Sequence, residues 1–421
     1  MMTTLTAQDI EIMSPVGSYE MLMAAIQGGA DSVYFGIADL NMRSKSSKNF
    51  TIEDLKKIVE IAKSHNVKTY ITLNIVIYDQ ELDKMREIVD AAKKYGVSAV
   101  IASDVAVIQY AYSQGVEVHI STQSNVTNIE AVKFYSHFAD VMVTARELNL
   151  TQVKEIVDTI EKDDVRGPKG NLVEIEIFAH GALCMAVSGK CYMSLDHLNS
   201  SANRGACLQP CRRKYELKDK ESDIKFEIDQ EYIMSPEDLK TVDFIDKMLY
   251  AGVRVLKVEG RGRNPEYVKI VTQVYREAVN AYFAGEFTKE NIEKWNARLA
   301  SVYNRGFWDG YYLGRKMGEW TEIYGSQATQ KKVYVGKVTN YFSKLGVAEI
   351  KLESHEIKLG DRYYIQGETT GVYEGQIDEM RVELKPVKEV KKGDMFSIKT
   401  DEIVRRNDKL YKIEVVEEMI L

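Results

Sequence analysis

Cys184, Cys191, Cys207 and Cys211 are the four cysteines of the chain, and all of them fall within 28 residues. Scattered cysteines are commonly small buried hydrophobes, but a cluster that takes every one of them points to shared chemistry. Four thiolates can close a tetrahedral zinc site or hold an iron–sulfur cluster. Six, fifteen and three residues separate them in turn. Structural zinc sites favour two close C-x2-C pairs, and this spacing contains none. It suits the larger cage of a cluster better and leaves zinc open as the second choice. Two disulfides are disfavoured in a reducing compartment. A thiol nucleophile, Cys184 beside His180 or His197, is a further option. A cysteine committed to a metal cannot fill that role, however, and the chain has neither H-E-x-x-H nor G-x-S-x-G.

Other candidates follow apolar runs. Glu259, Arg261 and Arg263 come just after the run ending at Val258, and Arg43 sits in Asn41-Met42-Arg43-Ser44 after an earlier one. Guanidinium groups in such places bind carboxylates bidentately. A salt-bridged rim with no ligand is the plainer reading of the same residues. His119 closes another run and leads into Ser121-Thr122-Gln123. A histidine there is either a hydrogen-bonded core residue or a catalyst, and Gln123 could read an amide or a base edge. Asn203 and Arg204 flank Cys207 as groups able to shield or tune a metal. No catalytic base stands out.

The elements that must position these residues are legible from periodicity. Strand-like runs lie near residues 10–13, 32–35, 67–77, 99–102, 116–120, 140–143, 173–179 and 253–258, short and apolar as buried parallel strands are. Between them the spacing turns helical: Leu55, Ile58, Val59 and Ala62 form one stripe behind Thr51 and Asp54, and Leu150, Val153, Val157 and Ile160 form another. Ser235-Pro236-Glu237-Asp238 reads as a capped helix start. Eight strand–helix units predict an α/β fold, a (β/α)8 TIM-like barrel, in preference to an open doubly wound sheet. A long insertion, about 180–235, carries the cysteines at the barrel's C-terminal face, where barrel enzymes build their sites. Helices are expected over about 265–283 and 289–302. From about 332 to 421 short alternating strands predict a small all-β, barrel-like domain after a barrel domain of residues 1–330.

With 421 residues, 45% hydrophobic and 28% charged, the chain is ordinary for a globular protein of two domains. Its formal charge of −7 excludes a generic nucleic-acid coat but not a local basic patch. No secretory leader is legible in Met1-Met2-Thr3-Thr4-Leu5-Thr6, and no run is apolar enough to span a bilayer, so the expected location is the cytoplasm without a membrane partner.

The segment from Glu176 through His180-Gly181-Ala182-Leu183-Cys184, Ser188-Gly189-Lys190-Cys191-Tyr192-Met193-Ser194 and Asn203-Arg204-Gly205-Ala206-Cys207-Leu208-Gln209-Pro210-Cys211-Arg212 resembles the signature of the peptidase U32 family. Supporting pieces are Met13-Ser14-Pro15-Val16-Gly17-Ser18, Gly29-Ala30-Asp31-Ser32-Val33-Tyr34-Phe35-Gly36, Ser121-Thr122-Gln123, Arg146-Glu147-Leu148 and Lys257-Val258-Glu259-Gly260-Arg261. The resemblance implies two different activities. Members were named peptidases or collagenases, while bacterial branches hydroxylate wobble uridine in tRNA, a ribosomal RNA cytidine or ubiquinone precursors. It implies an iron–sulfur cluster, of 4Fe–4S type, on Cys184, Cys191, Cys207 and Cys211, with prephenate, a small dicarboxylate, as co-substrate in the RNA branches. Length and domain content resemble the tRNA branch, which hydroxylates uridine at C5. The expected partner is then tRNA, gripped by a local patch near Arg204, Arg212, Arg213 and Lys214, with Arg261 and Arg263 beyond it. Tyr311, Tyr312 and Arg315 add aromatic and cationic groups, although a solvated helical surface is the plainer reading of the two tyrosines. The competing expectations are a collagenase-like peptidase and an accessory subunit of another hydroxylase.

Overall fold

The computed structural model describes residues 5–44, 49–215, 234–314, 319–321, 323 and 325–416. Short apolar stretches form strands β1 (Glu11–Pro15), β2 (Ser32–Gly36), β3 (Lys68–Leu73), β4 (Ala99–Ala102), β5 (Val118–Ile120), β6 (Val141–Val143) and β7 (Glu174–Ala182). Strand β8 (Asp238–Lys240) and strand β9 (Val255–Val258) follow. Strands β1 to β7 pair in sequence order, and β9 pairs in parallel with both β7 and β1, so eight parallel strands close a barrel. Met13, Tyr34, Tyr70, Ala99, Ile101, Val141 and Val255 fill its interior. Alternate strand residues face outward onto helices. These are α1 (Tyr19–Gln27), α2 (Asp54–Ser64), α3 (Leu82–Tyr95), α4 (Val105–Ser113), α5 (Ile129–Tyr135) and α6 (Leu150–Lys162). Both expected stripes are buried: Leu55, Ile58, Val59 and Ala62 on α2, and Leu150, Val153, Val157 and Ile160 on α6. Thr51 donates from its backbone N–H and its hydroxyl to Asp54, tying down the first turn of α2.

The insertion after β7 carries a short helix, α7 (Met193–Leu198), and its residues 216–233 lie outside the described set. The expected helix at Ser235–Asp238 does not form. Asp238, Leu239 and Lys240 make β8, antiparallel to the upper end of β7 and parallel to β10 (Phe307–Trp308). A cap-like local sequence here yields to tertiary pairing, which buries Asp238 and Leu239. Helices α8 (Ile245–Tyr250), α9 (Pro265–Ala284) and α10 (Lys289–Ala300) complete the region, the last two where the sequence places them.

From Gln330 onward the chain is all β. Eight antiparallel strands form one sheet, and a two-stranded ribbon of Glu356–Lys358 with Glu389–Lys391 adds to it. Val335, Val338, Ile350, Leu352, Ile365, Phe396 and Leu410 are among the residues of its separate core. It packs on the barrel through Tyr364, Val372 and Ile413, which join the barrel's apolar core, and through polar contacts. The Gln27 amide donates to the Thr370 carbonyl at 2.9 Å and accepts from the Val372 N–H at 2.9 Å, and Lys269 donates to the Val372 carbonyl at 2.7 Å. Among the described residues no helix is long and apolar enough to cross a membrane.

Candidate functional site

Loops at the C-terminal ends of the barrel strands and the insertion enclose one cavity of about 340 Å³. Arg43 comes from the loop after β2, Asn74 from that after β3, Gln123 from that after β5 and Arg146 from that after β6. The loop after β9 supplies Glu259, Arg261 and Arg263, and Lys257 reaches in from β9 itself. All four cysteines line the same cavity. This is the face on which barrel enzymes place their chemistry.

The insertion is seated on the strand loops by close packing. At Gly205 the backbone is left-handed (φ 75°), and a Cβ there would stand 2.1 Å from the Asn41 carbonyl oxygen. The Ser44 hydroxyl donates to the Gly205 carbonyl at 3.1 Å. Arg204 pairs with Glu81, donates to the Val76 carbonyl and lies 4.1 Å from the centre of the Tyr78 ring. Arg212 binds the Leu183 carbonyl at 2.7 Å and the Ser235 hydroxyl at 2.9 Å. Arg204 and Arg212, expected in a basic patch, are thus turned inward as staples. Arg213 and Lys214 are exposed. Tyr312 belongs to the core, donating to the Phe178 carbonyl at 2.9 Å, and Tyr311 packs edge-on against Trp308. Arg315 lies outside the described residues. Asn203, exposed, serves the fold: its carbonyl accepts from the Val76 N–H at 3.2 Å.

Seven cationic side chains line the cavity, Arg43, Arg146, Arg212, Lys257, Arg261, Arg263 and Arg305, against the single lining carboxylate of Glu259. Glu259 accepts from Arg43 at 2.6 Å and from the Tyr34 hydroxyl at 3.0 Å. Burial alone would raise its carboxyl, but the charges of Arg43, Arg261 and Arg146 hold it down at about 2. Arg261, almost fully buried, donates to Asn41 at 3.0 Å and to the Thr72 hydroxyl at 2.8 Å. Beneath them Lys257 pairs at 2.7 Å with Glu176, a carboxylate wholly removed from solvent. The Nε atoms of Arg146 and Arg261 are buried without a hydrogen-bond partner.

Of the sequence candidates, Arg43, Gln123, Glu259, Arg261 and the four cysteines come together here, and His119 does not. Its ring points into the barrel 4.6 Å from that of Tyr70, with Nε2 3.4 Å from Glu117. It is a core histidine. His180 is likewise enclosed by the rings of Tyr267, Tyr275 and Phe307, and His197 stands on the surface. Neither lines the cavity with Cys184. Burial, with Lys240 and Arg263 nearby, drives the His180 imidazole down to about 3, so it is neutral at pH 7. Burial also lifts the thiols, Cys207 above its ordinary value and Cys211 to about 11. That direction opposes a nucleophilic role for Cys207 or Cys211, which would need a depressed value. Lys257, Arg146 and Arg305 received no role from the sequence. Arg146 carried the usable signal, three residues past β6.

Among the described residues no three histidine, cysteine or acidic side chains draw together tightly enough to hold a single metal ion. The thiols nonetheless feel one another, since Cys184 and Cys191 both push Cys207 and Cys211 upward after burial has done so. Four soft sulfur donors in the lining of one cavity are a donor set of the kind an iron–sulfur cluster takes.

Residues 17–322 match the model of peptidase family U32. The chain belongs to that family. A "Collagenase" from Porphyromonas gingivalis is 58% identical over 98% of this U32 chain and all of its own length. An "Uncharacterized protease" from Methanocaldococcus jannaschii is 38% identical, covering 96% of this chain and 98% of the relative. "tRNA hydroxylation protein P1" from Bacillus subtilis is 33% identical, covering 79% and 77% respectively. The family thus spans two kinds of name, and the cavity geometry of this U32 member must be weighed against both.

Proposed function

We propose that the protein is an iron–sulfur enzyme that hydroxylates a nucleobase, C5 of the wobble uridine in tRNA, with prephenate as co-substrate. The observation that carries this reading is the shared cavity: four thiols in its lining, together with seven cations and a single carboxylate as its charged groups. Cys184, Cys191, Cys207 and Cys211 would hold the cluster, which supplies one-electron redox chemistry beside the substrate. Exchange of C5–H for C5–OH is a two-electron oxidation and needs an oxygen donor. The cationic lining is suited to a small dicarboxylate co-substrate. Arg43 and Arg261, fixed by Glu259, Asn41 and Thr72, would orient it, and Gln123 with Asn74 offers amide groups to a base edge. The Bacillus subtilis relative's name supports an RNA substrate.

Anaerobic purification should give a coloured protein containing iron and sulfide, with both lost in Cys207→Ser. Nucleoside mass spectrometry of tRNA from a deletion strain should lack 5-hydroxyuridine derivatives that the wild-type gene restores. A colourless protein with stoichiometric zinc would sink the cluster assignment. The peptidase reading is favoured by the names of the two relatives of higher identity. It lacks an assembled nucleophile–base pair among the described residues, and gelatin hydrolysis that survives Cys207→Ser would restore it.

A further inference from the structure

Strand β8 is not part of the closed barrel, yet it delivers a buried acid to the cavity rim. Asp238 is about 1% exposed, and its two carboxylate oxygens go to two different arginines. Oδ1 accepts from Arg305 at 3.0 Å and Oδ2 from Arg263 at 3.2 Å. The three residues come from three distant stretches of chain. Asp238 lies in the insertion's exit strand and Arg263 in the loop after β9. Arg305 lies just before β10, whose Phe307 is in register with Asp238. The Asp238 N–H donates to the Gly306 carbonyl at 3.1 Å, which locks that register beside Arg305. Both guanidiniums approach the Tyr303 ring, Arg263 at 3.8 Å and Arg305 at 5.4 Å from its centre.

Both arginines line the cavity while their side chains keep only 13% and 14% of their exposure. One carboxylate shared by two guanidiniums leaves positive charge in a place largely closed to water, an unfavourable arrangement until an anion arrives. Each guanidinium has five donors in a planar fork, of which Asp238 takes one, and on Arg263 the Tyr303 hydroxyl takes another. Arg212, a cation of the insertion that also lines the cavity, is held by the Leu183 carbonyl and the Ser235 hydroxyl and acts as a staple.

We propose that Asp238 is a positioning residue that holds Arg263 and Arg305 as a two-pronged clamp for one oxyanion end, carboxylate or phosphate, of a small dianion. The clamp is distinct from the Arg43–Glu259 pair and needs no cluster, so it stands whether the protein hydroxylates RNA or cleaves peptides. Calorimetric titration of the full chain with succinate and with inorganic phosphate tests it and tells the two oxyanion types apart. Wild-type protein should bind at least one probe saturably. Arg305→Gln and Arg263→Gln should each weaken that binding tenfold or more. Arg305→Lys should recover only part of it, because a point charge cannot replace the fork. Asp238→Asn should weaken it comparably at temperatures well below its melting point, which a merely structural acid would not do. If Asp238→Asn does not fold, the arginine series carries the test. Absence of saturable binding by wild type, or unchanged binding by both glutamine variants, would overturn the proposal. So would a loss confined to an oligoribonucleotide with succinate and phosphate unaffected.

Discussion

Lys257 and Glu176 form the most deeply buried ion pair described, with side chains 6% and 0% exposed. Removing one partner strands the other charge, whereas replacing both need not. Lys257→Met should therefore cost on the order of 3–5 kcal/mol, and Lys257→Met with Glu176→Leu should cost clearly less; urea titration of the three proteins measures both. His180 gives a pH prediction. Its folded-state value of about 3 lies below the ordinary 6.5, so the unfolded chain takes up a proton that the folded chain refuses. The neutral imidazole's contribution is complete above pH 6.5 and is lost as pH falls toward 3. Melting temperature should drop between pH 7 and pH 4, and His180→Phe should flatten that slope; an unchanged slope would assign it to another group.

Elements decide which residues the sequence could place. Arg43, Gln123, Glu259 and Arg261 were legible because a residue just past a barrel strand falls on the C-terminal face whatever its neighbours do. The grouping of the cysteines was legible from their number and spacing alone. His119 was legible as a core histidine, the plainer of its two readings, because a residue closing a short buried strand faces the interior it packs. Asp238 was misread because Ser-Pro-Glu-Asp satisfies every local rule for a helix start, while its strand pairing is made with β7 and β10. Arg204 looked like a surface cation because its partner, Glu81, is 123 residues away. At this scale Gly181 is a sharp test. It adopts φ 105° where β7 leaves the barrel, and a Cβ there would stand 2.4 Å from the Glu259 carbonyl oxygen. Gly181→Ala should force β7 from the β9 loop, lowering the melting temperature by several degrees and loosening the insertion, read as faster proteolysis between 184 and 215.

Over the whole molecule, the β region has a core of its own, but Tyr364, Val372 and Ile413 pack into the barrel's apolar core, and polar contacts flank them. Gln27→Ala with Lys269→Ala removes three of the hydrogen bonds across that seam. Calorimetry should then resolve two transitions, the β region melting apart from the barrel, if the seam couples them. The cavity has a different consequence for the molecule as a whole. Its cations are sunk inside a chain whose formal charge is −7. An approaching anion is repelled at long range and attracted only at the mouth. Salt near 0.15 M shortens the reach of charge to about 8 Å, which mutes the distant repulsion more than the sheltered attraction. Moderate salt should therefore speed the encounter with an anionic ligand, the reverse of electrostatic steering, and stopped-flow association at 20 and 150 mM salt would register the sign.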